Sequence, residues 1–305
     1  MPASAGRMTR SLLKKNRGIE IMAYAQVNGV SLYYDEFGSG DKVIITASGG
    51  DFKHPDMNRW PFYLANYGYH LYTVTLRGHW KSTHITEDYG VEWYNMWADD
   101  IYEFAKYVGV QNYIYMGLSH GSGVGWHLAD RHPEVLKGFV AIVCGPHYLN
   151  GDLNENQTSF AREQTIKAAD DPELKAQIAK SWEPDWSKIP ADRLEDERRH
   201  YEERVSDWME MSPEEMRMRP RIAFAWIHTE EELVEKLKTI KVPMLMIAGV
   251  QDEIVSVNAM IRSACAVPDA KTIFYQSGDH GVAFDPRWAE DVRDEILLFI
   301  KKKLG

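Results

Sequence analysis

Short, near-continuously apolar runs recur along this chain, and stretches with helical periodicity fill the gaps between them. The runs are Tyr24 to Val27, Val30 to Tyr34, Val43 to Ala47, Leu71 to Leu76, Tyr113 to Met116, Phe139 to Cys144, Met244 to Ala248 and Thr272 to Tyr275. A strand that is apolar at successive positions has no face to give to water and must be covered on both sides, the condition met in parallel sheets with helices on each face. The first two runs flank Asn28-Gly29, the strongest short hairpin signal. The pattern therefore predicts an α/β fold: a mostly parallel eight-stranded sheet with helices on both faces.

The helices can be placed with similar economy. From Glu92 to Val108 the residues Trp93, Trp97, Ile101, Phe104 and Val108 form one core-facing stripe. A last helix, Trp288 to Lys303, follows Asp285-Pro286 and ends in a basic turn that suits its dipole. Between Asn150 and Lys241 strand-like runs disappear, and 22 acidic residues face 15 basic ones. Ser212-Pro213-Glu214-Glu215 and Thr229-Glu230-Glu231-Glu232 both match the capping box. This block interrupts a βα alternation that resumes at Val242, so it reads as an inserted helical cap. The expected organisation is an N-terminal extension over 1–21 without fixed structure, a core made of 22–147 and 240–305, and a cap over 148–239.

The extension is basic but carries no apolar core of the kind a secretory signal needs, and Met22, where the fold pattern begins, is an alternative start. No run approaches the roughly 20 apolar residues of a membrane span. A net charge of -10 argues against a nucleic-acid or anionic-membrane surface. Only Cys144 and Cys265 are present, so a disulfide framework is not expected; two buried thiols in a reducing, cytoplasmic setting are. The chain has no H-E-x-x-H, paired C-x-x-C, Walker or dinucleotide-binding string, so neither a metal nor a cofactor is expected. The expected partner is a small-molecule substrate, and a homodimer is compatible with the composition.

Chemistry concentrates at three places. Gly117-Leu118-Ser119-His120-Gly121 sits between an apolar strand and a helix start rich in small residues, Gly121, Ser122, Gly123 and Gly125. A nucleophile on a sharp strand-to-helix turn needs glycine on either side, because the backbone is strained and the helix must approach closely. Gly249-Val250-Gln251-Asp252 follows the seventh run, and Gly278-Asp279-His280 follows the eighth. A serine alcohol is a poor nucleophile until a base takes its proton, and the base needs an acid to hold its tautomer. Ser119, His280 and Asp252 can fill these roles. Asp279, adjacent to His280, is the rival acid, although neighbours in an extended loop seldom face each other.

In these three elements, and in their order Ser, acid, His, the chain resembles the α/β-hydrolase superfamily from about Ala23 onward, in particular its capped serine hydrolases. The resemblance implies an α/β-hydrolase fold and an oxyanion hole built from the amide of His120 and one from the loop after the third strand. That loop reads Ala47-Ser48-Gly49-Gly50-Asp51 here, with Ser48 where the family commonly has His; Gly50 is the expected donor. Asp51 reads as an outward-facing acid or a partner for a substrate amine. Leu76 to Ser82 resembles the family's turn after the fourth strand and reads as scaffold, and His79 and His120 as locally bonded histidines that can also touch substrate. Trp60, Trp182, Trp186, Trp208 and Trp226, with Phe224 and the methionines 209, 211, 216 and 218, could line an apolar pocket.

A serine in this position sets the chain apart from haloalkane dehalogenases and epoxide hydrolases of the fold, which use aspartate, and from dienelactone hydrolases, which use cysteine. The expectation is hydrolysis of a small to medium, largely apolar carboxylic ester or lactone. Carbon-carbon hydrolysis of a vinylogous diketone, for which Met57-Asn58-Arg59-Trp60 offers some likeness, a proline-iminopeptidase-type activity, and a non-enzymatic ligand receptor remain as alternatives.

Overall fold

The computed structural model describes residues 13–14, 19–48, 61–150, 157–217 and 222–305. Its strands are β1 (Leu13–Lys14), β2 (Ile19–Val27), β3 (Val30–Phe37), β4 (Lys42–Ser48), β5 (Tyr69–Thr75), β6 (Tyr113–Leu118), β7 (Leu136–Ile142), β8 (Met244–Gly249) and β9 (Ala270–Tyr275). Among the described residues they form one sheet in the order β1-β2-β3-β5-β4-β6-β7-β8-β9. Pairing is antiparallel from β1 to β5 and parallel from there to β9. The eight expected strands are β2 to β9. The expected structureless extension over 1–21 is too long: Leu13–Lys14 pairs with Ile19–Glu20, and β2 starts at Ile19, because Ile19 and Ile21 continue the strand pattern ahead of Met22.

The central strands feed two cores by simple alternation. Ile45, Ala47, Tyr113, Tyr115, Phe139, Ala141, Met244 and Met246 enter one, whereas Ile44, Ile114, Met116, Val140, Ile142, Leu245 and Ile247 enter the other. The first is closed by α2 (Trp93–Tyr107), α3 (His120–Arg131) and α9 (Val257–Ala266), the second by α1 (Tyr63–Asn66) and α10 (Ala289–Phe299). Trp93, Trp97, Ile101 and Phe104 of the α2 stripe are all buried. Asn28 (φ 46°) and Gly29 (φ 77°) make the hairpin between β2 and β3, with Val27 opposite Val30. Cys144 is buried but Cys265 is exposed, which corrects the expectation of two buried thiols: position 265 lies on the outer side of α9.

Between β7 and β8 the chain is helical: α4 (Gln157–Ala168), α5 (Pro172–Ser181), α6 (Leu194–Glu210), α7 (Pro213–Arg217) and α8 (Glu230–Lys238). The first capping box closes in both directions and the second through its N-cap half. Glu215 N donates to Ser212 Oγ while Ser212 N donates to Glu215 Oε2, and Glu232 N donates to Thr229 Oγ1. Ala168, Ala179, Trp208 and Met216 give this segment a small core of its own. Polar contacts at several points attach it to the sheet layer. His84, beyond β5, meets Glu215 through Nδ1. Glu230 at the start of α8 accepts from Leu149 N and from Arg262 of α9, and Arg262 also donates to the carbonyls of Pro146 and His147, where the chain leaves β7. Phe224 N donates to His127 Nε2 at 2.9 Å. No described helix is long and apolar enough to cross a membrane.

His127 carries a pH signature. It is 1% exposed, and because its Nε2 accepts from Phe224, its proton sits on Nδ1 and goes to Asn95 Oδ1 at 2.8 Å. Burial, reinforced by the positive charges of Arg131 and Lys236, lowers its pKa to about 3. The unfolded chain takes up a proton below about pH 6.5 and the folded chain does not until about pH 3, so this group removes stability as pH falls through that window. The expected loss at pH 5 is about 2 kcal/mol relative to pH 7.5. Urea unfolding of wild type and His127→Gln at both pH values checks it: the variant should start less stable and lose about 2 kcal/mol less on acidification. Equal losses would remove His127 as the cause.

Candidate active site

Strand β4 lies between β5 and β6, so the connections from β4 and β6 diverge at the carboxyl edge of the sheet, the place where open α/β sheets present ligand sites. β6 ends there and delivers Ser119. The serine takes φ 52° and ψ −118°, and α3 begins at the next residue. A non-glycine residue in this region costs on the order of 1–3 kcal/mol, so the surroundings must impose it. They do so through the backbone: Ser119 N donates to Ile142 O at 3.0 Å, and Gly123 N donates to Ser119 O at 3.1 Å. Ser122 Oγ donates to Gly117 O and Tyr115 Oη donates to Gly121 O, tying both glycines of the motif. A Cβ on Gly117 would sit 2.4 Å from Gly121 carbon and oxygen, and one on Gly121 2.2 Å from Ala47 O. Ser119 makes no side-chain cap to α3, so its hydroxyl is left for other bonds.

Those bonds go to the two loops beyond β8 and β9. His280 Nε2 lies 2.9 Å from Ser119 Oγ, and His280 Nδ1 lies 2.8 Å from Asp252 Oδ2. The other carboxylate oxygen of Asp252 accepts from Ile254 N and Val255 N, each at 2.8 Å, and the side chain is 2% exposed. An ionised carboxylate can only accept, so Nδ1 of His280 carries the proton and Nε2 offers a lone pair to the serine. The loops press together backbone to backbone: Gln251 N donates to Gly278 O at 2.9 Å, and a Cβ on Gly249 would meet that oxygen at 2.4 Å. Asp279 spends its Oδ1 on Gly281 N at 2.7 Å, holding its own turn, while Asp252 faces the imidazole.

His120 opens α3, so its amide belongs to the first turn, whose N–H groups have no partner within the helix itself. Its Nδ1 lies 2.8 Å from the hydroxyl of Tyr94 on α2, a residue that the sequence pattern does not single out. The available signal is Gly123: only a residue without a side chain lets the Tyr94 ring cross α3, a Cβ there falling 2.3 Å from Cε1. Cys144 lies close enough for the Asp252 charge to act on it, but burial first and that charge second push its thiol up to about 12, leaving an inert group. His79 packs near Trp97, with ring centroids 5.7 Å apart, and Arg77 makes a buried two-bond pair with Asp100 at 2.5 Å. Gly50, Asp51, the Met57 to Trp60 segment and Met218 lie outside the described residues.

Of the expected pocket tryptophans, Trp182, Trp186 and Trp208 pack within the helical segment, and Trp60 lies outside the described residues. Trp208 is 4% exposed, donates Nε1–H to Lys175 O and meets Trp182 edge-on at 5.3 Å. Trp182 is further covered by Arg204, and Met216 shares the small core with Trp208. These three therefore pack the helical segment itself. Trp186 packs against Tyr201 and Arg198. Trp226 is 37% exposed and sits edge-on to His127 and Phe224, and Met209 is exposed. Among the described residues no group of three or more His, Cys, Asp or Glu side chains is arranged to hold a metal ion.

A family model described as serine aminopeptidase, S33, matches residues 41–287. A bifunctional esterase/perhydrolase from Acinetobacter calcoaceticus is 24% identical over 283 residues, 90% of this chain and 97% of that protein. Among solved structures, an enol-lactonase from Burkholderia xenovorans LB400 aligns with TM-score 0.64 at 18% identity, covering 92% of this chain and 100% of that one. An esterase from Rhodococcus sp. ECU1013 aligns with TM-score 0.65 at 18% identity, covering 92% and 99%.

The glycine contacts make a test. Gly121→Ala drives a methyl into the backbone of β4, which cannot yield as a side chain can, and should cost at least about 3 kcal/mol. Gly29→Ala, which meets nothing within 4 Å but must hold φ 77°, should cost about 1 kcal/mol. Thermal unfolding of the two variants compares them; a Gly121→Ala protein as stable as Gly29→Ala would contradict the close approach of α3 to β4.

Proposed function

The chain belongs to the α/β-hydrolase superfamily, within it to the family described as serine aminopeptidase S33, and on this basis we propose that it hydrolyses a small to medium, largely apolar carboxylic ester or lactone through an acyl-enzyme on Ser119. The observation that carries the proposal is the unbroken chain from Asp252 Oδ2 through both nitrogens of His280 to Ser119 Oγ, at a serine held on a strained strand-to-helix turn. The names borne by the relatives, esterase/perhydrolase, enol-lactonase and esterase, support ester chemistry over amide chemistry.

In this reading Ser119, His280 and Asp252 form a catalytic triad. As Oγ attacks the carbonyl carbon, its proton passes to His280 Nε2, and the buried Asp252 carboxylate stabilises the imidazolium that results. The oxyanion is received by the amide of His120 at the helix start, with Gly50 as second donor. His280 then protonates the departing alkoxide, which leaves the acyl group on Oγ. A water molecule, deprotonated by the same nitrogen, attacks the acyl carbon and releases the acid, restoring the serine proton. The helical segment acts as a cap: it leaves from β7 at the edge where Ser119 sits and runs back to the start of β8 through α8, and His84 and His127 bond to it. An aminoacyl amide is the second reading, favoured by the description of the family model.

Turnover of p-nitrophenyl acetate and butyrate, a lactone series and proline p-nitroanilide by purified protein ranks these substrates, with esters or lactones expected to lead. Ser119→Ala should lower kcat by roughly 10⁴- to 10⁶-fold if the three residues act as a unit. Asp252→Asn should cost about 10⁴-fold, while Asp279→Asn should stay within about threefold because its carboxylate serves only a surface turn. Ester turnover unchanged in Ser119→Ala would end the proposal, and turnover of the anilide alone would transfer it to the second reading.

A further inference from the structure

We propose that Tyr94 is a positioning residue for the reaction, holding residue 120 so that its amide stays aimed at the developing oxyanion; this rests on the Ser119 chemistry proposed above. The amide in question belongs to the peptide unit joining Ser119 and His120, and the orientation of that plane is set by the unusual ψ of −118° at Ser119. One edge of the plane is held by Gly123 N, which donates to Ser119 O at 3.1 Å. The other edge continues into His120, whose side chain is held at Nδ1 by the Tyr94 hydroxyl at 2.8 Å. Tyr94 acts on both attachments at once, because its ring also lies across Gly123.

The hydroxyl can serve as a fixed post because the ring behind it cannot move. Tyr94 is 5% exposed, stacked on His127 at 5.3 Å and 25°, edge-on to Trp97 at 5.2 Å, and nearly parallel to the His120 ring at 22°. His120, by contrast, is exposed, and its ring meets the buried Tyr94 both through Nδ1 and face to face. Burial pushes the Tyr94 phenol well above its ordinary range, so it keeps its proton and stays a neutral hydrogen-bonding partner for Nδ1. Loosening a preorganised donor affects the transition state, where the negative charge develops, more than the bound substrate.

The test is a double-variant cycle on Tyr94→Phe and His120→Ala. Tyr94→Phe keeps the ring and its contact with Gly123, so its Tm should stay within about 3 °C of wild type. Its kcat on p-nitrophenyl butyrate should fall about tenfold, with KM within about twofold. His120→Ala removes the same bond from its exposed side, where folding is not at stake, and should show the same split, and the double variant should be no slower than the slower single one. Labelling of Ser119 by a fluorophosphonate should slow in parallel. A kcat within about twofold of wild type for either single variant, a rise in KM without loss of kcat, or fully multiplicative losses in the double variant would overturn the role of Tyr94. If the wild-type protein turns over esters but takes no label at Ser119, the nucleophile assignment falls and this inference with it; a wild-type protein that labels normally beside an unaffected Tyr94→Phe sinks this inference alone.

Discussion

A single serine is held in a backbone conformation that serine does not choose, and much of the surrounding structure can be understood as what keeps it there. Ser119 occupies φ 52° because β6 must end and α3 must begin within one residue. The helix then lies so close to the sheet that Gly117 and Gly121 touch backbone rather than side chains. Gly125 meets the same demand a turn further on, where a Cβ would come 2.3 Å from Phe139. The small residues of α3 are thus a packing requirement spread along the helix. They convert the burial of Tyr115, Phe139 and Tyr94 into a force that keeps the turn closed.

The other two members of the hydrogen-bonded chain come from loops with no pairing of their own, and they obtain rigidity from each other. Gly249 and Gly278 bring the loops after β8 and β9 into backbone contact, and the Asp252 carboxylate is fixed by two amides before it meets His280. That arrangement places an almost fully buried anion beside an imidazole whose tautomer it determines. Short-range order in each loop is therefore set by an acidic side chain: Asp252 for one, Asp279 for the other. Their similar chemistry hides different duties, since one faces the ring and the other its own turn.

The sheet was legible because both of its faces are buried, so every central strand shows as an apolar run and the two-residue alternation merely sorts side chains between cores. The three chemical residues were legible because each follows a recognisable strand. What escaped were relations between elements. Tyr94 looks like one more aromatic beside a core stripe, and nothing in its own neighbourhood announces that its hydroxyl reaches His120. Trp182 and Trp208 carry the composition of a pocket wall, yet the helical segment needs a core of its own and takes them for it. Cys265 was misjudged because its helix is apolar enough to suggest burial on every side, while one side meets solvent. The start of β2 was placed late because Ile19 and Ile21 stand next to a basic stretch that masks their alternation.

The cluster around Arg262 and Glu230 bears on how such a chain can change over time. It fastens the point where the helical segment departs, at Pro146, His147 and Leu149, to the helix by which it returns, so the two ends are clasped together by the core itself. What lies between them is an excursion that meets the core chiefly at Glu215 and around Phe224 and otherwise keeps a core of its own. Lineages carrying this clasp could exchange or lengthen the excursion wholesale while inheriting the serine turn and its two supporting loops unchanged, so that new specificities would arise by replacement of a module rather than by repair of a scaffold.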